Sequence, residues 1–357
     1  MKRSLVLVGI VLLLIGGAIA FKNKIKKDFA QPVNIPTPLS SLMSSPVITG
    51  TKTRLSLFVP YWTLTGDKIE TDGFDKIIYF GIKPDEQDAK LEKFNNSLTN
   101  DAKKLLALRM TDSQENAAIL GDTLKLGEII DQTIQVAFKN EMIGIVLDLE
   151  LSAIPFDSTI KQINKFSNTF YTASKKNNLT FSIALYGDSF YRVRPFDAKT
   201  LAQNADEIMI MAYDLHKAKG NPGPNFPLRG REKFGYDLTE MTDDFLQVMK
   251  AQKITVIFGV YGYDWVVDKN GQALQEANAL TLSQIKQKFI DPSSPDEFTN
   301  YTIMRDKYAV ETQIRYTDKN NKDHVIWFED MESIKQKKEY LQQRGINSFS
   351  YWAYSYF

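Results

Sequence analysis

Between Gly144 and Leu151 every position is apolar except Asp148 and Glu150. Side chains of a strand alternate between its two faces, so Gly144, Val146, Asp148 and Glu150 share one side. Ile145, Leu147, Leu149 and Leu151 form a continuous aliphatic row on the other. A strand apolar on both faces belongs in a parallel sheet covered on both sides, because a half-wet antiparallel strand would alternate apolar with polar. The two acids fall at the carboxyl end of this strand, where α/β barrels carry their chemistry. Strand-end acids also cap helices or meet a buried arginine. From these two residues alone, a structural and a catalytic reading stand level.

The pattern repeats along the chain. Short apolar runs at 55–59, 76–82, 105–110, 143–151, 180–186, 207–212, 255–262 and 348–354 read as eight strands. Between them lie stretches with apolar residues at 3.6-residue spacing, among them 126–139, 160–176, 242–251 and 331–344. The last of these ends on Arg344-Gly345, a helix stop signal. Eight strands alternating with helices over about 300 residues predict the α/β class and, within it, a (β/α)8 TIM barrel.

A small α+β insertion is expected between the seventh strand and the last helix, at about 266–328. Asp268-Lys269-Asn270-Gly271 reads as a turn. The alternating runs 311–316 and 324–328, joined by a polar stretch at 317–323, read as a hairpin beside the barrel mouth, able to wall one side of a cleft. The chain stops at Phe357, directly after the eighth strand, so something other than a following helix is expected to cover that strand.

The N-terminus carries a targeting pattern. Lys2 and Arg3 precede a nearly uncharged run from Ser4 to Phe21, and lysines follow at 22, 24, 26 and 27. The run is at the short end for a hydrocarbon core of about 30 Å, and flanking lysines extend it by snorkelling. Ala18-Ile19-Ala20 also suits signal-peptidase cleavage. A cleaved signal peptide and a retained membrane anchor both remain open for residues 1–27, and both imply export to the cell surface or beyond. Residues 28–53, with Pro32, Pro36, Pro38 and a serine-rich stretch, read as a semi-extended linker. The barrel would then occupy 54–357.

Composition narrows the chemistry. Lys+Arg number 44 against Asp+Glu 43, which leaves a formal net charge of +1 and no basic excess of the kind that binds nucleic acid. There is no cysteine, and His216 and His324 are the only histidines. Thiolate and histidine-rich metal sites are therefore excluded, and no cofactor is expected. Hydrolytic chemistry would rest on carboxylates, hydroxyls or groups of the substrate itself.

Several motifs, in order along the chain, resemble glycoside hydrolase family 18, the chitinase-like barrels, and within it the bacterial branch acting on spore cortex and other peptidoglycan. Phe58-Val59-Pro60-Tyr61-Trp62 is similar to the family's first strand and its aromatic exit. The run ending Asp148-Leu149-Glu150 is similar to the fourth-strand signature, and Met211-Ala212-Tyr213-Asp214 to the Met-x-Tyr-Asp motif of the sixth. Val325-Ile326-Trp327-Phe328-Glu329-Asp330 and Ser350-Tyr351-Trp352 are similar to the tail of the cortex-lytic branch. The fourth- and sixth-strand motifs together are a fairly specific signal; either alone is weak.

The resemblance implies cleavage of β-linked N-acetylglucosamine-containing glycan, peptidoglycan rather than chitin, by a substrate-assisted retaining mechanism. It implies Glu150 as acid/base, Asp148 as the partner of the acetamido N–H, Tyr213 as donor to the acetamido carbonyl and Asp214 as electrostatic support. Trp352 would floor the sugar site. Aromatic residues at strand exits, Tyr61, Trp62, Tyr261 and Trp265, are candidate glycan contacts, since rings at a barrel rim have no core to fill. His216 is given no catalytic role. Two departures stand out. Val146 occupies a position that is acidic in the full family signature, and the third strand, with Arg109, lacks the family's Ser-x-Gly-Gly. Arg109 is expected either to point to the mouth or to pair with an acid there. These departures keep a second reading open, a non-catalytic glycan-binding barrel of the same family at the cell surface.

Overall fold

The computed structural model describes residues 52–84, 90–99, 102–152, 154–291 and 298–357. The expected signal or anchor, 1–27, and the linker up to residue 51 lie outside the described residues. Among the described residues, no helix is long and apolar enough to cross a membrane.

Seven strands form in succession: β1 (Arg54–Pro60), β2 (Lys76–Ile82), β3 (Lys103–Met110), β4 (Gly144–Leu149), β5 (Thr180–Tyr186), β6 (Glu207–Ala212) and β7 (Ile254–Gly259). The chain then leaves for a second sheet made of β8 (Tyr261–Val267), β9 (Asn278–Thr281), β10 (Thr299–Arg305), β11 (Thr312–Thr317) and β12 (Asp323–Phe328). It returns through helix Met331–Gln343 to β13 (Ser348–Trp352). Strands β1 to β7 and β13 close a parallel barrel in the order β1-β13-β7-β6-β5-β4-β3-β2. This is the predicted (β/α)8 architecture. The insertion sheet has the order β10-β11-β12-β8-β9, with the expected hairpin as its β11–β12 pair.

The apolar patterns explain the layers. Helix Thr123–Lys139 starts where the Asp122 carboxylate accepts from the backbone N–H of Leu124 and Lys125, and it buries Ile129, Ile130 and Ile134. Helix Asp157–Lys176 buries Ile163, Phe166 and Phe170 along one stripe. These stripes meet the outward rows of the barrel, Leu106 and Leu108 from β3 with Ile145 and Leu147 from β4, all fully buried. Each such side chain removed from water stabilises by about 1.5–3 kcal/mol, so this outer layer is the dominant cohesive term. The inward row of β4 contributes Val146 to a smaller core inside the barrel, with Ile78, Leu105, Ala107, Met209 and Ile257.

Polar groups close both ends of the barrel. At the amino end Lys76 pairs with Glu207 at 3.1 Å, and Glu207 also accepts from the Thr255 hydroxyl. These groups have partners, as expected of the face of a barrel that serves stability. At the carboxyl end, by contrast, Asp148 Oδ1 has no hydrogen-bond partner among the described residues.

Two expectations need correcting. The seventh strand was expected to run to 262, but it ends at Gly259, and Tyr261 opens the insertion sheet five residues earlier than expected. The chain turns out of the barrel at Val260, whose N–H donates to the Trp352 carbonyl at 2.8 Å. The second is Trp265, which is buried in the insertion and does not stand at the rim of the barrel. On the outward face of β13, Phe74 and Phe357 pack on Tyr351, Phe258 packs on Phe349, and the Lys338 ammonium lies 5.3 Å from the Phe349 ring.

Candidate active site

The parallel register fixes what meets at the carboxyl end. Arg109 on β3 lies opposite Asp148 on β4, and the N–H of Glu150 donates to the Met110 carbonyl at 2.7 Å, extending the β3–β4 ladder by one step. The buried amide of Asn116 donates to the Glu150 carbonyl at 2.7 Å and to the Met110 carbonyl, so both strand ends are clamped to the helix that follows β3. Glu150 is thereby held on a braced backbone, not on a loose loop.

A cavity of about 500 Å³ opens over this end of the barrel. Asp148, Glu150, Tyr213, Asp214, Trp352, Trp62 and Tyr261 all line it. The sequence-derived candidates from β4, β6 and β13 are thus brought to one space. Tyr61 does not line it; its ring carries the Arg109 guanidinium at 4.6 Å, and so it supports the wall from behind. Trp265 is a correction. Its indole is fully buried among Val267, Ala277, Ala309, Val325 and Trp327 in the core of the insertion. It shares a face of β8 with Tyr261 and Tyr263, yet lies farther along the strand, in a cluster against which Ala218 and Phe234 pack, and does not line the cavity.

The two acids have different surroundings. Asp148 is buried, and its Oδ1 has no hydrogen-bond partner among the described residues. Burial pushes its carboxyl well above the usual range, the Glu150 charge adds to this, and Arg109 opposes it. Glu150 is half-buried and also raised, chiefly by burial. Its Oε2 accepts the Tyr186 hydroxyl at 2.7 Å, which favours the ionised form, as do Lys217 and Arg194, while Asp214 works the other way. Below Asp148 on the same face stands Val146, in an apolar layer with Ala107 and Met209, so Asp148 has no acid beneath it to share a proton with.

Tyr213 follows β6 directly. Burial and the charges of Asp148, Asp214 and Glu150 push its phenol up, so it stays neutral and serves as a donor. Its ring stacks on Trp352 at 6.4 Å with 24° between planes. Trp352 in turn meets the Phe80 ring edge-on at 4.7 Å and leaves part of the indole facing the cavity. Asp214 adopts a left-handed backbone (φ 58°), which acidic side chains tolerate better than branched ones. Its Oδ1 accepts the hydroxyls of Tyr261 and Tyr263, the latter at 2.9 Å. The insertion sheet also lines the cavity through Ala279, Leu280 and Thr281, and so forms one of its walls.

Several lining groups were not read from the sequence. Tyr186 ends β5, and the rule that strand exits carry function would have flagged it. Arg194 lies in the loop after β5, stacked over the Tyr186 ring at 3.7 Å and held by Asp188 at 2.6 Å. Lys217 lies 5.9 Å from the same ring. Nothing in the local sequence marks these two. Arg109 does point to the mouth, as one of its two expected placements had it, and donates to the Gly81 carbonyl at 3.1 and 3.3 Å. His216 bonds the Pro224 carbonyl at 2.8 Å outside the cavity.

A closed parallel barrel with paired acids and a phenol over its carboxyl end is the arrangement of a (β/α)8 hydrolase. The family model of the glycosyl hydrolases family 18 matches residues 58–356, and the chain belongs to that family. Among its relatives are the cortical fragment-lytic enzymes of Bacillus subtilis and Bacillus anthracis. Both are 26% identical, over 44% and 66% of this chain and 33% and 52% of theirs. The chain thus spans a third to about a half of the length of these relatives. The crystal structure of the Bacillus cereus spore cortex-lytic enzyme SleL has a TM-score of 0.67 at 22% identity, covering 86% of this chain and 72% of that one. A family 18 chitinase of Cycas revoluta, solved in complex with (GlcNAc)3, gives a TM-score of 0.71 at 16% identity, covering 84% and 94%. At these identities the structural likeness establishes the shared fold.

Proposed function

We propose that this chain is a glycosidase that cleaves β-linked N-acetylglucosamine-containing glycan, peptidoglycan in preference to chitin, with retention and with the substrate's own acetamido group as nucleophile. One observation carries the reading: Asp148, Glu150, Tyr213 and Asp214 line the same cavity as the indole of Trp352. Family membership supports the reaction class, and the cortical fragment-lytic relatives support the choice of polymer.

In this mechanism Glu150 must arrive protonated. Its burial favours the neutral acid, which protonates the departing glycosidic oxygen and, once ionised, activates water for the second half of the reaction. Asp148, with an unpartnered buried oxygen, accepts the acetamido N–H, and the positive charge that grows on the oxazolinium favours the ionised carboxylate. The Tyr213 phenol, kept neutral, donates to the acetamido carbonyl oxygen and aims it at the anomeric carbon. Asp214, fixed by two phenols, supplies negative potential beside this group. Trp352 offers an apolar face to the pyranose ring.

The test is release of reducing ends from purified peptidoglycan and from N-acetylglucosamine oligomers. Glu150→Gln is expected to lose about 10²–10⁴-fold, the usual worth of a positioned general acid. Equal rates for the two proteins would end the enzymatic reading.

A second reading, a non-catalytic glycan-binding barrel, draws on Val146. With an apolar residue below it, Asp148 has only Glu150 with which to exchange a proton. That reading predicts glycan binding that survives Glu150→Gln, is lost in Trp352→Ala, and is accompanied by no turnover of any polymer. We further propose export, with the barrel tethered at the cell surface by residues 1–27. This is supported by the Lys2-Arg3 start and the apolar run after it. Recovery of the protein in the cytoplasmic fraction of its cell would overturn this.

A further inference from the structure

The insertion is joined to the barrel by a buried charge cluster that ends on the active-site backbone. Lys337, on helix Met331–Gln343, is fully buried and donates to Glu311 Oε1 at 2.8 Å and to Glu329 Oε1 at 2.6 Å. Glu311 precedes β11, and Glu329 follows β12, so one ammonium gathers two ends of the insertion sheet. Both oxygens of Glu311 then turn to the barrel. They accept the backbone N–H groups of Asn225, at 2.5 Å, and Phe226, at 2.8 Å, in the long loop after β6.

Asn225 passes the connection on. Its Oδ1 accepts the N–H of Asp214 at 2.7 Å, its Nδ2 donates to the Gly259 carbonyl at 3.0 Å, and its own carbonyl accepts the N–H of Leu215 at 2.9 Å. The Asp214 N–H needs this partner because the left-handed turn takes Asp214 out of the β6 ladder. Space is tight around it. A methyl group placed on Gly259 would stand 2.8 Å from Tyr213 Cβ and 3.1 Å from Asn225 Nδ2. The amide of Asn225, Gly259 and the Tyr213–Asp214 turn are therefore packed as one unit.

Burying a lysine with two carboxylates is a poor way to gain stability, since well-packed apolar residues of the same size usually do as well or better. What the cluster adds is direction, because each of its hydrogen bonds has a fixed partner. We infer that Asn225 and Glu311 are positioning residues for the Tyr213–Asp214 pair, through which the insertion sets the geometry of the acetamido site. This rests on the reading of Asp214 as part of the catalytic machinery.

The consequence is measurable at Glu150. The groups facing Glu150 are Asp148 on its own strand, Tyr186 and Arg194 from β5 and its loop, and Tyr213, Asp214 and Lys217 after β6. Of these, Asp214 holds the Glu150 carboxyl up by charge repulsion. An Asp214 released from its turn acts less strongly on Glu150, so the alkaline limb of the kcat/KM profile moves to lower pH. A purely structural loss of folded protein would scale the whole profile and leave its limbs in place.

The experiment takes the full chain with Asn225→Ala and, at the far end of the link, Glu311→Gln, each checked by circular dichroism and melting. On peptidoglycan fragments Asn225→Ala is expected to lower kcat at least tenfold with KM within about threefold, and to shift the alkaline limb downward. Glu311→Gln, which keeps one acceptor oxygen, should lie between it and wild type. A crystal structure of Asn225→Ala should find the Asp214 carboxylate withdrawn from Tyr263. Wild-type kinetics and an unmoved Asp214 would overturn the inference. So would loss of the folded state in both variants, since the cluster would then be an anchor of the fold alone. If wild type hydrolyses no glycan, the proposed function fails, while the crystallographic arm still decides the positioning role.

Discussion

The Tyr186 hydroxyl donates to Glu150 Oε2 at 2.7 Å, joining the end of β5 to the acid at the end of β4. This bond stabilises the charged carboxylate and works against the burial that raises Glu150. The two effects set how long Glu150 stays protonated as pH rises.

Tyr186→Phe removes that bond and leaves the ring. A hydrogen bond to a charged group is worth about 1.5–3 kcal/mol, and about 1.4 kcal/mol corresponds to one pKa unit. The Glu150 carboxyl should therefore move further up, and the alkaline limb of kcat/KM should shift to higher pH. A pH–rate profile on a soluble glycan oligomer checks this; a limb that stays put or moves down contradicts it.

Asp148→Asn should separate activity from stability. Activity is expected to fall about 10²–10³-fold, the scale seen when one preorganised electrostatic group is lost. The folded pKa of Asp148 lies above its ordinary value of 3.8, so the native state favours the neutral acid. The sign follows: ionisation costs stability as pH rises above about 3.8, and nothing below it, where both states are protonated. The variant should melt higher than wild type at pH 7, and this advantage should shrink toward pH 3.5. Calorimetry at both values decides it.

Trp352 serves two ends, packing on Phe80 and facing the cavity. Trp352→Phe keeps an aromatic ring on Phe80 and should retain most of the melting temperature while weakening glycan binding by roughly tenfold or less, within the 0.5–1.5 kcal/mol typical of one ring contact. Trp352→Ala should cost both, with a stability loss approaching the ~3–5 kcal/mol of a truncated buried aromatic. Titration calorimetry with N-acetylglucosamine oligomers separates the two. Equal affinities for wild type and both variants would remove Trp352 from the sugar site.

Glu329 should make the melting temperature depend on pH. Burial pushes its carboxyl up to about 8, Lys337 opposes this, and Glu311 reinforces it. A carboxyl raised from 4.5 loses stability as pH climbs from 4.5 to about 8, and no more beyond that. Glu329→Gln keeps an acceptor for Ser333 and cannot ionise. Its melting temperature relative to wild type should thus be higher at pH 8.5 than at pH 4.5. A difference that is flat across this range would place the proton elsewhere in the cluster.

The sequence by itself determined the barrel and the heart of the site. Period-two alternation in 144–151 is local, so the parity that puts Asp148 and Glu150 on the inward face and Leu147 on the outward one needs no tertiary information. Tyr213 and Asp214 were singled out at the exit of the sixth strand by their resemblance to the family 18 Met-x-Tyr-Asp motif, since parity cannot place two adjacent residues on one face. Parity could not say how far a face stays open. Tyr261, Tyr263 and Trp265 share a side of β8, yet only the first two reach the cavity, because the third is packed into the insertion's own core with Val325 and Trp327. Tertiary structure alone also decided that Tyr186 holds Glu150, that Arg109 acts on Asp148, and that Lys337 is buried between Glu311 and Glu329. These contacts join residues 8 to 39 positions apart, and the link from Glu311 to Asn225 spans 86. Their partners are chosen by the closure of the barrel and the docking of the insertion, and no local pattern encodes a choice made by that closure.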